Sequence, residues 1–244
     1  MLPITFFTTM DQAMESTLAI TVPDGNFSAY VAQPKKSSGP VVVLLHEAFG
    51  VNSTIRHIAG DLAREGFIAV CPDLYWRVAP GIELSEHIEA EVRQGFEIYD
   101  QLDIAKSVDD VCSTVATARP LSSSKKVGLM GFCLGGLLTN LMSARHHVDA
   151  AVSYYGAGTE RYAHELGHVD TPLLMHLAGS DEYMSSSALE KIKNAVSRSA
   201  CVEIDIYPGR YHAFARPGGD HFHEADAALA KRRTVQFFRK YLIV

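Results

Sequence analysis

The chain alternates short, uniformly apolar runs with longer stretches in which apolar residues recur at helical spacing. The apolar runs predict strands that are covered on both faces, as in a parallel sheet. They comprise residues 41–45, 67–71, 126–132, 150–155 and 173–177. Residues 202–207, in which acidic residues interrupt the apolar ones, predict a further strand. The amphipathic stretches predict helices over residues 55–65, 98–119, 135–145, 187–199 and 223–241. This alternation predicts an α/β fold, with a mostly parallel central sheet and helices on both faces.

The N-terminal part departs from this alternation. Residues 17–22 and 27–33 flank a Pro-Asp-Gly-Asn segment, and its Asp-Gly pair is typical of tight turns. They therefore predict a β-hairpin. Residues 1–16 show no clear period, and we expect them to form an extension before a single domain over residues 17–244. Residues 73–95 are expected to be an irregular excursion that is helical in part.

Composition and charge narrow the functional classes. The 244 residues are 47% hydrophobic, which is enough for one sizeable core. The formal net charge is −6 and no run of lysine and arginine occurs, so we expect no nucleic-acid partner. The apolar runs are too short to cross a bilayer and the N-terminus lacks a basic leader, so we expect neither a membrane partner nor secretion.

Four cysteines, at positions 71, 112, 133 and 201, are scattered and form no C-x-x-C pair. This distribution favours reduced thiols in a cytoplasmic protein over a disulfide framework or a zinc knuckle. The histidine pairs at 146–147 and 221–223 lack partners at ligand spacing, so we expect no metal site. The sequence leaves the assembly open between a monomer and a small homo-oligomer.

One sharp turn motif stands out. Residues 131–136 read Gly-Phe-Cys-Leu-Gly-Gly directly after an apolar run, which is the G-x-C-x-G form of the nucleophile elbow. In this turn a strand ends abruptly, a helix begins, and flanking glycines relieve crowding around the nucleophile. Cys133 would lie near the positive end of the helix dipole, which favours a reactive thiol. A buried cysteine in a glycine-rich turn is the alternative interpretation.

A cysteine nucleophile needs a base, and the base needs an acceptor that orients it. Asp181 follows the predicted strand at 173–177, and His212 follows the predicted strand at 202–207. The order cysteine, aspartate, histidine is the one that elbow enzymes use. Asp181 could instead be a helix N-cap and His212 an ordinary loop histidine. His176 is a weaker rival base, because its place inside an apolar strand is more typical of a core residue.

Glu47 also follows a buried run, at the carboxyl end of a predicted strand. The loop in this place supplies an N–H to the oxyanion hole of elbow enzymes. We therefore expect the backbone N–H groups of Ala48 and Leu134 to bind a tetrahedral oxyanion. A carboxylate cannot stabilise an oxyanion, because both groups are negatively charged. We therefore predict that Glu47 exchanges protons with Cys133 and controls thiolate formation. A solvated loop charge or a salt bridge to an arginine are the alternatives.

With these motifs the chain resembles the dienelactone hydrolase (carboxymethylenebutenolidase) family of the α/β-hydrolase fold, over residues 17–241. The resemblance is carried by five segments, namely 46–50 (HEAFG), 71–75 (CPDLY), 131–136 (GFCLGG), 179–181 (GSD) and 212–216 (HAFAR). It implies that Cys133 is the nucleophile, that Asp181 and His212 are its partners, and that Glu47 is an active-site carboxylate.

The resemblance also implies which residues bind the substrate. Two arginines hold the substrate carboxylate in such enzymes, and they fall on Arg77 and Arg216. Arg210 or Arg93 could compete with Arg77, which lies in the irregular excursion. Phe49 and Tyr75, which lie in the matching segments, are expected to line the substrate site.

The activity implied by the resemblance is hydrolysis of a dienelactone, an enol lactone that carries a carboxylate, to maleylacetate. The reaction would pass through a thioester on Cys133 and would need no metal or organic cofactor. The expected partner is thus a small anionic lactone or ester. Two rivals are a thiol-dependent esterase or lactonase for a different small ester, and a non-catalytic binding module on the same scaffold.

Overall fold

The structure, a computed structural model, describes residues 13–35 and 38–243. Its eight strands form one sheet in the order β1-β2-β4-β3-β5-β6-β7-β8. The strands are β1 (Met14–Val22), β2 (Gly25–Gln33), β3 (Val41–Leu45), β4 (Ile68–Pro72), β5 (Val127–Phe132), β6 (Ala150–Tyr154), β7 (Leu173–Ala178) and β8 (Val202–Tyr207). Strands β3 to β8 run parallel, and the antiparallel pair β1–β2 joins them through β4. The predicted mostly parallel sheet and N-terminal hairpin are confirmed.

Seven α-helices connect and cover the strands. They are α1 (Ser53–Arg64), α2 (Glu89–Tyr99), α3 (Ile104–Ala118), α4 (Leu134–Arg145), α5 (Ala163–Leu166), α6 (Ser186–Val196) and α7 (Glu224–Leu242) within the described ranges. Successive residues of a strand point to opposite faces of the sheet. Val41 and Val43 therefore pack with α3 and α4, whereas Val42 and Leu44 pack with α1 and α7. Helices thus cover both faces, as the sequence predicts.

Two sequence-based boundaries are wrong. The helix predicted over residues 98–119 is two helices, because α2 ends at Tyr99 and α3 begins at Ile104. The side chain of Asp103 accepts the Lys106 N–H at 3.1 Å, so a helix N-cap interrupts the apolar periodicity. The predicted extension over residues 1–16 also overlaps β1, which starts at Met14. The remainder of that extension, residues 1–12, lies outside the described residues.

The sheet brings the candidate site residues to one edge. Parallel strands present their carboxyl ends along the same edge, where α/β proteins place their binding sites. Glu47 follows β3, Cys133 follows β5, Asp181 follows β7 and His212 follows β8. Residues that are far apart in the sequence therefore converge above this edge.

Candidate active site

Cys133 occupies the sharp bend between β5 and α4. Its backbone has φ 51° and ψ −112°, a conformation that residues with a side chain rarely adopt. Main-chain hydrogen bonds hold the bend in place. The Cys133 N–H donates to the Tyr154 carbonyl at 3.1 Å, and the Cys133 carbonyl accepts the Leu137 N–H at 3.0 Å. A strained backbone that its surroundings enforce in this way is typical of a functional position.

The glycines around Cys133 are required by close backbone contacts. A Cβ atom on Gly131 would lie 2.1 Å from the Gly135 carbonyl oxygen. A Cβ atom on Gly135 would lie 2.4 Å from the Leu45 carbonyl oxygen. The expectation that these glycines relieve crowding at the bend is confirmed, because any side chain at either position would displace the strand or the helix.

His212 and Asp181 form a buried hydrogen-bonded pair. The Nδ1 atom of His212 lies 3.0 Å from Asp181 Oδ1 and 2.9 Å from Asp181 Oδ2. The rings of Tyr155 and Tyr183 contact the imidazole edge-on, with ring centroids 4.9 Å and 4.8 Å away. The backbone N–H of His212 also donates to Glu182 Oε2 at 2.9 Å. These contacts fix the orientation of the imidazole ring and favour a proton on Nδ1 when the ring is neutral.

The other ring nitrogen, Nε2, is buried and has no hydrogen-bond partner among the described residues. Burial of His212 disfavours its charged form, but the negative charge of Cys133 and the hydrogen bond to Asp181 outweigh this effect. Together they raise the pKa of His212 to about 10. The imidazole can therefore carry a positive charge in the same cavity as Cys133, which is the arrangement that a cysteine nucleophile needs.

Glu47 forms a buried ion pair with Arg216. The Arg216 Nε atom donates to Glu47 Oε2 at 2.5 Å, and the guanidinium lies over the Phe49 ring, 5.1 Å from its centroid. Burial disfavours the charge on Arg216, but the Glu47 carboxylate outweighs burial and raises the pKa of the guanidinium. The second carboxylate oxygen, Oε1, is buried without a hydrogen-bond partner among the described residues. Of the alternatives for Glu47, the structure therefore shows the salt bridge to an arginine.

A cavity of about 280 Å³ opens above Cys133. Its walls contain most of the candidate site residues, namely Ala48, Phe49, Cys133, Leu134, His212 and Arg216. Leu134 is the first residue of α4, so its N–H has no acceptor within the helix and is free to bind an anion. The two expected oxyanion donors, on Ala48 and Leu134, are thus brought to the same cavity as the thiol.

The structure places two predicted substrate-binding residues elsewhere. Arg77 does not line the cavity; it forms ion pairs with Asp24 and Asp110 and stacks on Trp76. Tyr75 is fully buried and packs edge-on against His46, with ring centroids 4.9 Å apart. Arg77 is paired with carboxylates outside the cavity and Tyr75 does not line it, so the geometry does not support a substrate contact for either one. Arg210 and Arg93, the competitors for Arg77, pair with Asp226 and Glu89 and are also absent from the cavity walls.

Several cavity residues were not singled out by the sequence. Aromatic and apolar side chains from α2 and the loop after β7 line the cavity, together with one arginine; they are Val92, Phe96, Tyr99, Tyr183 and Arg161. Val92, Phe96 and Tyr99 share the helical spacing i, i+4 and i+7, so the amphipathic pattern of α2 was a usable signal for them. No local pattern marks Arg161, which reaches the cavity only through the fold.

His46 has a structural part in the site. Its Nδ1 atom lies 2.6 Å from the Glu47 carbonyl, and its Nε2 atom accepts the Leu74 N–H at 3.1 Å. Burial lowers the pKa of His46, so the ring is neutral with its proton on Nδ1. The ring thereby ties the loop after β3 to the segment after β4 and positions Glu47 and Ala48.

No cluster of three or more histidine, cysteine or acidic side chains suited to a metal ion occurs within residues 13–35 and 38–243. In the same part of the chain, none of the helices combines the length and apolar character that a membrane span requires.

Comparisons with known proteins agree on one family. The sequence model of the dienelactone hydrolase family matches residues 27–242. Carboxymethylenebutenolidase of Pseudomonas putida is 36% identical over 217 residues, covering 88% of this chain and 92% of that protein. Carboxymethylenebutenolidase 1 of Cupriavidus pinatubonensis is 33% identical over 213 residues, covering 87% and 91%.

A solved structure from Klebsiella pneumoniae, provisionally named a dienelactone hydrolase, superposes with a TM-score of 0.82 at 26% identity and covers 94% of this chain and 99% of that one. Both the family match and the superposition extend over most of the chain. The chain therefore belongs to the dienelactone hydrolase family, whose members are ester hydrolases with the α/β-hydrolase fold.

Proposed function

We propose that the chain opens enol-lactone rings, as in the conversion of a dienelactone to maleylacetate, through a thioester on Cys133. In this proposal His212 is the general base and Asp181 orients its imidazole. One observation carries the proposal. A cysteine on a strained bend and a histidine bonded to a buried carboxylate line the same cavity. The name carboxymethylenebutenolidase, which describes relatives that act on an unsaturated lactone, supports the substrate type.

The first half of the reaction is attack by sulfur. The Cys133 thiolate adds to the lactone carbonyl, and the oxyanion accepts hydrogen bonds from the N–H groups of Ala48 and Leu134. Collapse of this intermediate breaks the ring C–O bond and releases an enolate, which takes the Nε2 proton of the charged His212 imidazole and becomes a ketone. His212 is then neutral and ready to act as a base. A thiolate is itself a good leaving group, so a basic alkoxide would be expelled more slowly than the sulfur. A stabilised enolate avoids this problem, which favours enol esters as substrates.

The second half is hydrolysis of the thioester. His212 Nε2, which has no other hydrogen-bond partner among the described residues, takes a proton from water as the water attacks the acyl carbon. The carbon–sulfur bond then breaks, and the carboxylic acid and the thiol are regenerated. Asp181 holds the imidazole in one tautomer and stabilises its charged form throughout.

Glu47 is proposed to govern ionisation of the thiol. Its Oε2 atom is held by Arg216, whereas Oε1 is buried and lacks a partner among the described residues. An unpartnered buried carboxylate oxygen has a strong tendency to accept a hydrogen bond. This supports a role for Oε1 as a hydrogen-bond acceptor for the Cys133 thiol, through which Glu47 would exchange a proton with the sulfur and control when the thiolate forms.

The proposal is tested by Cys133→Ala. Loss of the sulfur removes the thioester route, so we expect kcat/KM for an enol lactone to fall by at least about 10⁴-fold, the scale seen when a nucleophile of such a triad is removed. The measurement is steady-state hydrolysis of a dienelactone with purified protein.

The matched control is Cys201→Ala, which removes a partly buried thiol outside the cavity and should retain activity. Thermal unfolding of both variants checks that the fold is kept. Activity of Cys133→Ala equal to that of the wild type would refute the proposed nucleophile.

A second candidate is a thiol-dependent esterase or lactonase for a different small ester. The observation that favours it is the loss of one expected carboxylate anchor, since Arg77 pairs with Asp24 and Asp110 outside the cavity. The chemistry on Cys133 would be the same, and only the acyl part of the substrate would differ.

A further inference from the structure

We infer that Glu182 and His221 are positioning residues that hold the main chain of His212 and thereby fix the place of the proposed base. This inference rests on the proposed function, because it concerns the residue that acts as the base there. Neither positioning residue transfers a proton in this assignment. Both act through His212.

His212 lies in a segment without regular secondary structure. After β8 ends at Tyr207, the chain makes only turns and bends until α7 begins at Glu224. Within the described residues, neither the N–H nor the C=O of His212 has a main-chain partner. The next residue, Ala213, has a φ of 60°, which a residue with a side chain rarely adopts. Because His212 is buried, its peptide groups need partners from side chains.

Glu182 binds the N–H of His212. Its Oε2 atom accepts this N–H at 2.9 Å. Glu182 directly follows Asp181, whose carboxylate lies 2.9 Å from His212 Nδ1, and the next residue, Tyr183, packs edge-on against the imidazole. Three consecutive residues in the loop after β7 therefore hold the ring and the main chain of one histidine.

His221 binds the carbonyl group of the same residue. Its Nδ1 atom lies 3.0 Å from the His212 carbonyl oxygen. A carbonyl oxygen only accepts hydrogen bonds, so the Nδ1 atom of His221 carries a proton. The Tyr211 ring packs against the His221 imidazole, with ring centroids 5.1 Å apart, and restricts its rotation.

The two positioning residues also contact each other. The Nδ1 atom of His221 lies 3.4 Å from Glu182 Oε1, while Oε2 of the same carboxylate accepts the His212 N–H. The three residues thus form a closed set of contacts around the peptide groups of the base. A hydrogen bond to a carboxylate is stronger than one between neutral groups, so the bond from the His212 N–H is well suited to this role.

Small displacements of this main chain matter for the reaction. The Nε2 atom of His212 must lie within hydrogen-bond reach of the water that it activates. A misplacement of about 1 Å can lower a rate about 10²-fold. Asp181 binds the ring but not the peptide groups, so loss of either main-chain contact would let Nε2 shift away from the reacting groups.

The inference is tested first at Glu182. Glu182→Ala removes the acceptor of the His212 N–H, so we expect kcat for a dienelactone to fall at least about tenfold, with KM changed by no more than about twofold. Glu182→Gln keeps an oxygen that can accept this N–H and should retain most of the wild-type kcat. Glu190→Ala, which removes an exposed carboxylate of α6 outside the cavity, is the control and should leave kcat unchanged.

The same design applies to His221. His221→Ala removes the donor to the His212 carbonyl and should lower kcat at least about fivefold. His221→Asn keeps an N–H group near the place of Nδ1 and should restore most of this loss. His164→Ala removes an exposed histidine outside the cavity and should leave kcat unchanged. The side chains of Glu182 and His221 are 38% and 42% exposed, so their truncation opens no core cavity; thermal unfolding checks that each variant is folded.

NMR titration of the imidazole nitrogens follows the position of the ring without any substrate. Burial disfavours the charge on His212, but Cys133 and Asp181 raise its pKa to about 10. A ring that moves away from these groups should titrate nearer the ordinary histidine range. We therefore expect the pKa of His212 to be lower in Glu182→Ala than in Glu182→Gln, which lacks the same negative charge.

Four outcomes would overturn the inference while the Cys133 mechanism stands. Wild-type kcat in either alanine variant would remove that residue from the assignment. Equal losses in Glu182→Ala and Glu182→Gln would show that the charge matters and not the hydrogen bond. A raised KM with unchanged kcat would indicate a contact with the substrate, since both residues line the cavity. Equal His212 titrations in the two Glu182 variants would show that the ring does not move.

The proposed function fails in a different way. Hydrolysis of the dienelactone by His212→Ala at the wild-type rate would refute the proposed base, and with it the inference. Failure of the wild type to hydrolyse the dienelactone would refute the proposed function, whereas the NMR comparison of the two Glu182 variants would still test the positioning of the ring.

Discussion

Two buried histidines at neighbouring strands show what distinguishes a reactive imidazole from a structural one. His212 follows β8 and His176 lies within β7, and the side chains of both are almost inaccessible to solvent. Their pKa values nevertheless move in opposite directions. Burial and the nearby positive charge of Arg233 lower the pKa of His176 to about 3. The pKa of His212 is raised to about 10 despite its burial.

The hydrogen-bond partners explain this difference. His176 is hydrogen-bonded to hydroxyl groups through both nitrogens, with Nδ1 3.0 Å from the Tyr207 hydroxyl and Nε2 3.1 Å from Thr234 Oγ1. The Asp205 carboxylate lies 3.7 Å from Nδ1, which is beyond hydrogen-bond distance. Both hydroxyl groups suit a neutral ring, and neither nitrogen is left for a substrate. His212 has a carboxylate at one nitrogen and no partner among the described residues at the other. Burial alone therefore does not make a catalytic base; a charged partner and an open nitrogen are also needed.

The largest expected effect separates the two histidines by function. His212→Ala removes the proposed base, so kcat/KM for an enol ester, measured well below the melting temperature, should fall by about 10³-fold or more. Its melting temperature should also fall, because Asp181 loses its buried partner. His176→Leu keeps the base, so its kcat/KM measured well below the melting temperature should stay within a few-fold of the wild type. The assays are steady-state hydrolysis and thermal unfolding of both variants. An equal loss of activity in both would contradict the distinction.

The stability of His176→Leu gives the second prediction. Leucine removes the hydrogen bonds from the imidazole to Tyr207 and Thr234, but both hydroxyls keep a partner, Arg233 and Tyr154 respectively, so each lost bond should cost about 1 kcal/mol. Two such bonds correspond to a fall in melting temperature of roughly 4–8 °C for a chain of this size. Differential scanning calorimetry measures it, and a melting temperature equal to that of the wild type would show that the His176 network does not stabilise the fold.

The third prediction concerns the charge on His212. The negative charge of Cys133 contributes to the raised pKa, so Cys133→Ala should lower the pKa of His212 from about 10 toward the ordinary histidine range. In this variant the ring should therefore lose its proton at a lower pH. NMR titration of the imidazole nitrogens measures the shift. His176 is an internal control that should remain neutral in both proteins, and a His212 titration unaffected by the substitution would argue against the sulfur–imidazole coupling.

The smallest expected effect comes from Tyr207→Phe. This change removes the hydroxyl that contacts His176 Nδ1 but keeps the ring that packs against Phe214. Loss of one such hydrogen bond should cost about 1 kcal/mol, or about 2–4 °C in melting temperature. Chemical denaturation and calorimetry both report it, and activity should not change. A large loss of activity would show that the His176 network also controls the cavity.

The sequence predicts those parts of the candidate site that depend on local patterns. The bend at Cys133 is defined by six consecutive residues, and its glycines satisfy contacts within that bend and with adjacent β3. Asp181 and His212 each follow an apolar run, so their place at the carboxyl edge follows from the strand pattern. The sheet itself is predictable for the same reason, because continuous apolar runs are distinctive of buried parallel strands.

The pairing of distant charges is not predictable in this way. Glu47 and Arg216 are 169 positions apart, and only the fold decides that they meet. The same holds for Arg77, which the fold directs toward Asp24 and Asp110. Apolar periodicity also gave a wrong prediction at the break between α2 and α3. The apolar spacing continues across this break, although the Asp103 side chain caps the start of a new helix there. The charge pairings concern partners that local patterns cannot select, whereas the Asp103 cap is a local contact that the apolar periodicity obscured.

The bend at Cys133 has a consequence for how substrate preference can change. Its shape is set by a short stretch of chain and by main-chain hydrogen bonds, whereas the cavity walls come from α2, the turn at Thr159–Tyr162 and the loops after β3, β7 and β8. Substitutions in the walls can therefore alter which acyl group is admitted without moving the sulfur. The position of the sulfur is thus encoded apart from most wall positions, so the outer walls can be redesigned while the nucleophile is preserved.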